Sequence, residues 1–273
     1  LNQLLLWSEM MKLGFNTVLF GNHPIEVALD AAAKLEYDGV ELSAIEGMSQ
    51  HLDLELSTSE NVNKLNELSR NYNIPYLAIE RAKHDLKTWP KLIEIANGIE
   101  CPIINIGPGG TFDQNNSFGS AIESISKHAD LSEKHGVITC FKAHYNTCID
   151  NTEQTLKALD LLDHPFLGLD FDPSHIFRVP ENPIDALKSI FQRIKHVHFR
   201  DCIAQDIQGP GKPFEQICGR GKIDLKGLLA VLTEQNFNGP LNLEIIGTHD
   251  FSIEDCILIA AESKGWLNAS LSL

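Results

Sequence analysis

Four short segments in the second half of the chain pair ionisable or amide side chains two residues apart. Because successive side chains of a β-strand alternate between its faces, both members of such a pair share one face. The pairs are Lys142 with His144, Asp170 with Asp172, His196 with His198, and Asn242 with Glu244. Imidazoles and carboxylates that converge from several strands are suited to proton transfer, or to binding Mn²⁺, Zn²⁺, Mg²⁺, Co²⁺ or Fe²⁺.

These pairs can point inward if the apolar residues between them point outward to packed helices. Those apolar residues are Leu169, Phe171, Val197, Phe199 and Leu243. Burying so many ionisable groups needs compensation, because an isolated charge loses its hydration in an apolar interior. A divalent cation could supply it, and so could Lys142 by balancing the carboxylates. The spacing alone does not choose between the two.

The elements that must position these side chains are short apolar runs alternating with longer segments of helical periodicity. The predicted strands are 12–20, 39–43, 74–80, 102–106, 137–144, 166–172, 194–200 and 240–246. The predicted helices lie near 25–36, 58–71, 86–99, 118–135, 153–162, 184–192, 224–235 and 253–264. The predicted helix N-caps are Ser57 or Ser59, Asn151 or Thr152, and Asp224.

Eight strand–helix units predict a single (β/α)8 TIM barrel, since a doubly wound sheet more often has five or six strands. In such barrels the chemistry lies at the carboxyl ends of the strands, where the four pairs fall. We interpret residues 1–10 as an extension before Met11, and 11–273 as one barrel domain.

Several motifs at the predicted strand ends resemble those of the xylose isomerase-like TIM barrels, the sugar phosphate isomerase/epimerase superfamily. They are Asp172-Pro173-Ser174-His175, the segment 196–201, the loop 219–224, Leu243-Glu244 and, on the second strand, 38–42. The resemblance runs from about residue 11 to residue 265. No single motif is diagnostic, but their order along the chain makes a strong joint signal.

The resemblance implies a divalent metal, often Mn²⁺, held by a Glu on the fifth strand together with Asp172, His198 and Glu244. His175 would contact substrate hydroxyls, and Glu244 would be the general base. The expected activity is isomerisation or epimerisation of a small keto sugar, cyclitol or related polyhydroxy substrate by proton transfer next to a carbonyl. A dehydratase, a lyase of the same superfamily, is the alternative.

The departure from this pattern lies on the fifth strand, where Lys142-Ala143-His144 stands in place of Glu-x-His. Three outcomes are open. His144 could replace the glutamate and keep a metal site, or Lys142 could occupy the metal's place and pair with Asp172 and Glu244. Desolvation could instead lower the pKa of Lys142 and make it a base or Schiff-base nucleophile, which nearby carboxylates oppose.

Other strand-end residues are weaker candidates. Glu41 and Glu80 could bind substrate, or could simply be partners of a neighbouring cation. Arg220, in a loop with Lys222, is a candidate for binding an anionic or hydroxyl-rich end of the substrate. Asp201 is interpreted as a turn or supporting residue.

Composition excludes several other classes of function. The chain has 22 Lys plus Arg against 37 Asp plus Glu, a formal net charge of −15, which disfavours binding to nucleic acid. An endonuclease IV-like hydrolase is disfavoured for the same reason, and because the third and fourth strands offer no inward histidine. A metal-free barrel that only binds a ligand stays a third possibility.

The cellular setting follows from what the sequence lacks. No apolar stretch approaches the roughly 18–20 residues of a membrane span, so no membrane partner is expected. The six cysteines form no C-x-x-C pair, which predicts buried free thiols in a reducing cytoplasm. The expected partner is a small polyhydroxy molecule, and a homo-oligomer is left open.

Overall fold

Eight parallel strands close into a barrel in the computed structural model, which describes residues 11–111 and 117–272. The strands are β1 (Lys12–Asn16), β2 (Gly39–Ile45), β3 (Tyr76–Glu80), β4 (Ile103–Ile106), β5 (Ile138–Lys142), β6 (Leu167–Phe171), β7 (Ile194–Phe199) and β8 (Pro240–Leu243). β1 pairs with both β2 and β8, which closes the ring. The predicted single (β/α)8 barrel is confirmed. The predicted extension, residues 1–10, lies outside the described residues.

Helices surround this barrel and connect successive strands. Over the described ranges they are α1 (Ile25–Lys34), α2 (Thr58–Tyr72), α3 (Trp89–Gly98), α4 (Ser117–Glu133), α5 (Thr152–Leu161), α6 (Pro173–Arg178), α7 (Pro183–Ile190), α8 (Leu225–Glu234) and α9 (Ile253–Leu271). A two-residue strand, Ser49–Gln50, pairs antiparallel with the end of β2, outside the ring. No helix among the described residues is long and apolar enough to cross a membrane.

The helix starts follow the capping signals in the sequence. Ser57 and Glu60 form a capping box at α2, Asn151 accepts from the Gln154 amide at α5, and Asp224 accepts from the Gly227 amide at α8. Each side chain satisfies an amide that the first helical turn leaves without a partner. These three predicted caps are confirmed.

One helix was not predicted. The six-residue α6 begins directly after β6, inside the Asp-Pro-Ser-His motif. Asp172 is its N-cap and accepts a hydrogen bond from the Ser174 amide at 2.8 Å. The segment is too short to show helical periodicity, and Pro173 at its first position is compatible with a helix start. Asp172 therefore starts α6 as well as lying at the barrel mouth.

Three strands end two or more residues earlier than predicted, among them β8, which stops at Leu243 instead of residue 246. β1 stops at Asn16, whose side chain accepts from the Val18 amide and caps a short 3₁₀ turn. β5 stops at Lys142, so the predicted strand 137–144 is two residues too long at its carboxyl end. The expectation that His144 shares the inward strand face with Lys142 is wrong, because alternation ends with the strand.

The apolar core lies between the outer face of the barrel and the helices. Leu169, Phe171, Val197, Phe199 and Leu243 are all buried in it, as predicted. All six cysteines are buried and free, which also agrees with the sequence prediction. With the outer strand faces packed against helices, the polar residues of β5 to β8 are left to fill the barrel interior.

Candidate active site

Lys142, the last residue of β5, lies at the centre of a buried cluster of ionisable side chains. Its Nζ is 2.8 Å from His198 Nδ1, 3.1 Å from Glu80 Oε1 and 3.4 Å from Glu244 Oε2. Asp170 Oδ2 lies 3.6 Å from the same nitrogen. These four partners come from β3, β6, β7 and the end of β8, so closure of the barrel brings them together.

His198 forms hydrogen bonds through both ring nitrogens. Nδ1 lies 2.8 Å from Lys142 Nζ and 2.9 Å from Asp170 Oδ2. Nε2 donates to Glu41 Oε2 at 2.5 Å. Burial opposes protonation of the ring, but the charges of Asp170 and Glu41 raise the pKa of His198 well above its ordinary value. Lys142, His198 and Glu41 thus form a continuous chain of polar contacts from the barrel mouth into its interior.

His196 is a fully buried histidine of the barrel interior. Its ring lies 4.8 Å from that of His198, centroid to centroid, on the same inward face of β7. Nδ1 contacts Asp170 Oδ1 at 2.8 Å, and Nε2 contacts the Asn242 amide at 2.7 Å. Both nitrogens therefore have protein partners inside the barrel.

Two asparagines that the sequence analysis did not select orient the glutamates. The Asn16 amide donates to Glu41 Oε2 at 3.0 Å and to Glu80 Oε2 at 2.6 Å, while Asn105 donates to Glu41 Oε1 at 2.6 Å. Asn105 lies one residue before the end of the predicted strand 102–106, and that position is the signal that could have found it, whereas Asn16 lies in the middle of the predicted strand 12–20. Glu41 and Glu80 thus lie in the cluster, where Asn16 and Asn105 hold Glu41, and Asn16 and Lys142 hold Glu80.

Arg200, also not selected from the sequence, supplies the second buried cation. Its guanidinium lies 2.7 Å from Asp172 Oδ2 and 3.1 Å from Glu244 Oε2. Burial opposes ionisation of Asp172, but Arg200 and Lys142 lower the pKa of its carboxyl to about 2. Asp172 is therefore ionised and engaged by Arg200 and by the first turn of α6.

His175 lies beside this ion pair. Its Nδ1 accepts hydrogen bonds from the Tyr145 amide at 3.1 Å and from Arg178 at 2.6 Å, and its Nε2 is 3.4 Å from Asp172 Oδ2. His144, by contrast, is exposed, stacks on the His175 ring at 4.0 Å between centroids, and contacts the Tyr145 carbonyl oxygen.

The charges of the cluster set its protonation states. Burial alone would lower the pKa of Lys142, but Glu244, Glu80 and Asp170 raise it well above its ordinary value. Lys142 is therefore a charged ammonium, which argues against its action as a free amine nucleophile. Burial, followed by the charge of Glu244, raises the pKa of Glu80 to about 7. Glu80 can thus hold or release a proton near neutral pH.

Among the described residues, two groups of three side chains each bring potential metal-ligand atoms within 4.8 Å of one another. The first group is Glu80, His198 and Glu244, and the second is Glu41, His196 and His198. Asp172 and His144, predicted as ligands, belong to neither group. In the first group Lys142 Nζ is hydrogen-bonded to every member. A metal bonded to those atoms at roughly 2.0–2.2 Å would contact the ammonium and be repelled by it.

The second group fits a metal no better. Its three side chains are fully buried, and amides of Asn16, Asn105 and Asn242 already donate to or contact them. The donor set as arranged therefore does not fit a divalent metal while Lys142 is charged and in this position.

Arg220, in the loop that follows β7, does not contact this cluster. Arg220 forms a two-point ion pair with Glu262 of α9, with a shortest separation of 2.5 Å, instead of facing the barrel mouth. Asp201 accepts from the amides of Cys202, Gly219 and Ile223 and so organises the loop. The interpretation of Asp201 as a turn residue agrees with these bonds.

A separate open groove of about 510 Å³ lies at the carboxyl end of the barrel. It is lined by the loops after β1, β2 and β8, including His23, His51 and His249. These histidines are bonded to the Phe251 carbonyl, the His23 carbonyl and the Asn22 side chain respectively. The Lys142 cluster does not line this groove.

Comparison with known proteins agrees with this architecture. A sequence model described as xylose isomerase-like TIM barrel matches residues 29–269. The chain belongs to this family. The family assignment confirms the resemblance drawn from the strand-end motifs.

Curated relatives of the chain include inosose dehydratases. That of Clostridium perfringens is 29% identical over 162 residues, covering 55% of this chain and 54% of the relative. That of Mesomycoplasma hyopneumoniae is 31% identical over 87 residues, covering 32% of this chain and 29% of the relative. The chain thus spans about half of the length of the Clostridium perfringens relative and 29% of the length of the Mesomycoplasma hyopneumoniae relative.

Solved structures share the fold over almost the whole chain. A probable 3-DHS dehydratase, AsbF, from Bacillus anthracis superposes with a TM-score of 0.75 at 20% identity, covering 94% of this chain and 99% of that one. The IOLI protein with a bound zinc atom gives 0.75 at 21% identity, covering 93% and 96%. A D-tagatose 3-epimerase-like protein gives 0.75 at 18% identity, covering 96% and 97%. The relatives thus include both dehydratases and epimerases.

Proposed function

We propose that the chain is an enzyme that transfers a proton next to the carbonyl group of a small polyhydroxy ketone, such as a keto sugar or a keto cyclitol. The observation that carries this proposal is the position of Lys142 Nζ, hydrogen-bonded to Glu80, His198 and Glu244. An ammonium held between two carboxylates offers a cation for a developing oxyanion and bases for the proton.

Lys142 takes the role that a divalent metal has in related barrels. Its ammonium lies among the donor atoms that would otherwise surround the metal, and its raised pKa keeps it charged. It is held from several sides, so it needs little rearrangement to stabilise negative charge on a substrate oxygen.

Glu244 is the proposed base. Its carboxylate removes a proton from the carbon next to the carbonyl, and the electron pair of that C–H bond moves onto the carbonyl oxygen. Lys142 donates a hydrogen bond to the resulting enediolate oxygen, while His175 donates to a neighbouring hydroxyl. Arg200 and Lys142 hold Glu244 in place from two sides.

Two products can follow from this enediolate. Return of the proton to the neighbouring carbon, with the hydroxyl proton moving from one enediolate oxygen to the other, gives an isomer, and delivery of a proton to the opposite face of the original carbon by a second acid gives an epimer. Loss of hydroxide from the next carbon gives a dehydratase, provided that an acid protonates the leaving group so that it departs as water. Glu80, with a pKa of about 7, can be that acid, and the inosose dehydratase relatives support this second outcome.

The charge of the cluster favours an uncharged substrate. Its cations are Lys142, Arg200 and His198, whose pKa is raised by Asp170 and Glu41, and its carboxylates are Glu41, Glu80, Asp170, Asp172 and Glu244. A phosphate or carboxylate of the substrate would be repelled by this excess of negative charge. Arg220, the predicted anchor for an anionic end, is engaged by Glu262.

Proton exchange with solvent tests the reaction. Inosose, D-tagatose and D-allulose are incubated with the protein in D₂O and followed by mass spectrometry. Deuterium in the recovered or rearranged sugar supports isomerisation or epimerisation, and loss of the mass of water supports dehydration. The Glu244→Gln variant is expected to abolish both. A ketone that binds with no exchange and no water loss would contradict the proposal and favour a barrel that only binds a ligand.

The role of Lys142 is tested separately, by adding metal. We expect the wild type to contain no stoichiometric metal, to keep its activity after dialysis against EDTA, and to show no shift in Tm with Mn²⁺ or Zn²⁺. Lys142→Glu, which restores the usual carboxylate, should gain a Tm shift with Mn²⁺, and Lys188→Glu on the exposed side of α7 is the control. Stoichiometric metal in the wild type with activity lost to EDTA would disprove the role of Lys142.

A further inference from the structure

The imidazole of His175 is held in one tautomer by its neighbours. Its Nδ1 lies 3.1 Å from the Tyr145 amide nitrogen and 2.6 Å from Arg178 Nη2. Both of these groups can only donate, so Nδ1 must be the acceptor and carry no proton. The single proton of the neutral ring is therefore on Nε2.

The protonated nitrogen faces the active-site cluster. Nε2 lies 3.4 Å from Asp172 Oδ2. Arg200 Nη2 lies 3.3 Å from Nε2, but its two N–H groups have nearer acceptors in Asp172 Oδ2 at 2.7 Å and Glu244 Oε2 at 3.1 Å, so Nε2 is left to carry the ring proton. An N–H at this point can donate to Asp172 or to an oxygen of a bound molecule, whereas the opposite tautomer would offer only a lone pair. The tautomer thus decides whether His175 can donate a hydrogen bond to a hydroxyl.

Arg178 is well placed to impose this choice because its own position is fixed from several segments. Its Nε donates to the Ser174 carbonyl at 3.1 Å and its Nη1 to the Gln208 carbonyl at 2.9 Å. Its guanidinium carbon lies 4.9 Å from the centroid of the Tyr145 ring. The side chain is 2% exposed. Nη2 is the guanidinium nitrogen that remains to donate to His175.

We infer that Arg178 is a positioning residue that fixes His175 as the Nε2–H tautomer and so makes it a hydrogen-bond donor to a substrate hydroxyl. The tautomer follows from the structure alone, and only the contact with substrate rests on the proposed function. A lysine could not make the same set of bonds, because its single nitrogen lacks the planar fork of arginine. Neither Arg178 nor its bond to His175 was indicated by the strand-end motifs.

Nuclear magnetic resonance of ¹⁵N-histidine-labelled protein tests this inference without any substrate. At neutral pH we expect His175 to show an unprotonated Nδ1 and a protonated Nε2, with its signals assigned by their loss in His175→Gln. In Arg178→Met the two signals should move toward the averaged values of exchanging tautomers. Arg193→Met, which removes an arginine that follows α7 and donates to the Leu162 carbonyl, is the matched control.

Two results would overturn the inference. One is a wild-type His175 that carries its proton on Nδ1 or is doubly protonated at neutral pH. The other is a folded Arg178→Met protein whose His175 signals match those of the wild type. If Arg178→Met does not fold, Arg178→Gln retains a side-chain N–H donor, and the wild-type spectrum remains decisive.

A kinetic measurement then tests the contact with substrate. Loss of one neutral hydrogen bond, about 1.4 kcal/mol, should raise KM about tenfold in Arg178→Met with a smaller effect on kcat. The expected tautomer change with an unchanged KM would leave the tautomer assignment intact and reject the substrate contact. No activity in the wild type would instead count against the proposed function.

Discussion

A single side chain, Lys142, neutralises the buried carboxylates on which the candidate site is built. Glu80 and Glu244 both contact its ammonium, and each of the three side chains is about 5% exposed. Water therefore cannot easily replace Lys142 as their partner. A buried charge that loses its partner is among the more costly changes a protein can undergo.

The first prediction is that Lys142→Met destabilises the fold by about 3–5 kcal/mol at pH 7.5. The loss should be smaller at pH 5. The pKa of Glu80 is already raised, so the native state binds more protons there than the unfolded state, and lower pH stabilises it. Urea unfolding at both pH values measures this. Lys188→Met, on an exposed face, is the control, and equal loss for both variants would show that Lys142 does not compensate the carboxylates.

The site residues were only partly predictable from their types. Glu41, Glu80, His198 and Glu244 could be selected because they end predicted strands. Arg200 ends the predicted strand 194–200 on the same face as His196 and His198, a signal that the selection of site residues did not use. Asp172 was predicted to bind a metal, but in the structure its carboxylate binds the guanidinium of Arg200 at 2.7 Å.

At the scale of elements, the end of a strand decides which residues share a face. The prediction extended β5 to residue 144 because Ala143 and His144 continue the alternation of apolar and polar residues. In the structure β5 ends at Lys142, and the His144 amide donates instead to the Ile149 carbonyl in a loop. A difference of two residues thus removed a predicted ligand. The helix caps, which depend on local contacts, were predicted more reliably.

The close approach of β1 and β8 gives the second prediction. A Cβ added at Gly14 would lie 2.0 Å from Asn242 Oδ1, whose amide bonds His196. Gly14→Ala should therefore displace Asn242 and cost about 1–3 kcal/mol of stability. Denaturant unfolding measures this. Gly119→Ala on α4, where an added Cβ meets nothing within 4 Å, is the matched control. A neutral Gly14→Ala would mean that β8 shifts without cost.

The third prediction concerns His128 on α4. Burial is the main cause that lowers its pKa to about 4, and its Nδ1 contacts the Ser124 carbonyl at 2.7 Å. Between pH 6.5 and 4 the unfolded chain binds this proton and the native chain does not, so stability falls as the pH falls. This histidine alone should contribute roughly 3 kcal/mol over that range.

Comparison of two variants isolates that contribution. His128→Phe should unfold with a weaker pH dependence between pH 4 and 6.5, whereas a substitution of the exposed His249, His249→Phe, should keep the wild-type dependence. Parallel curves for His128→Phe and wild type would show that His128 is protonated in the native state.

At the scale of the whole molecule, the alternation of strands and helices was enough to predict the closed barrel. No sequence motif was needed to predict that the barrel closes, because an eight-stranded parallel barrel must pair its first strand with its last, as β1 and β8 do here. The detailed contacts within the barrel interior needed coordinates. Asn16 and Asn105 show why, because each bonds a glutamate from a different strand.

The fourth prediction tests the packing of the whole molecule through its thiols. All six cysteines are buried, and burial raises the pKa of Cys101 to about 12, so reactive thiolates are scarce. Native protein should react slowly with Ellman's reagent, and six thiols should react in denaturant. Fast reaction of several thiols in the native state would contradict this packing.

The contacts of Arg178 have a consequence for motion. This side chain joins α6, the loop after β5 through Tyr145, and the loop after β7 through Gln208. Opening any one of these segments breaks bonds to the other two. Their amide hydrogens should therefore exchange with solvent with one common free energy of opening, as a single cooperative unit covering this side of the barrel.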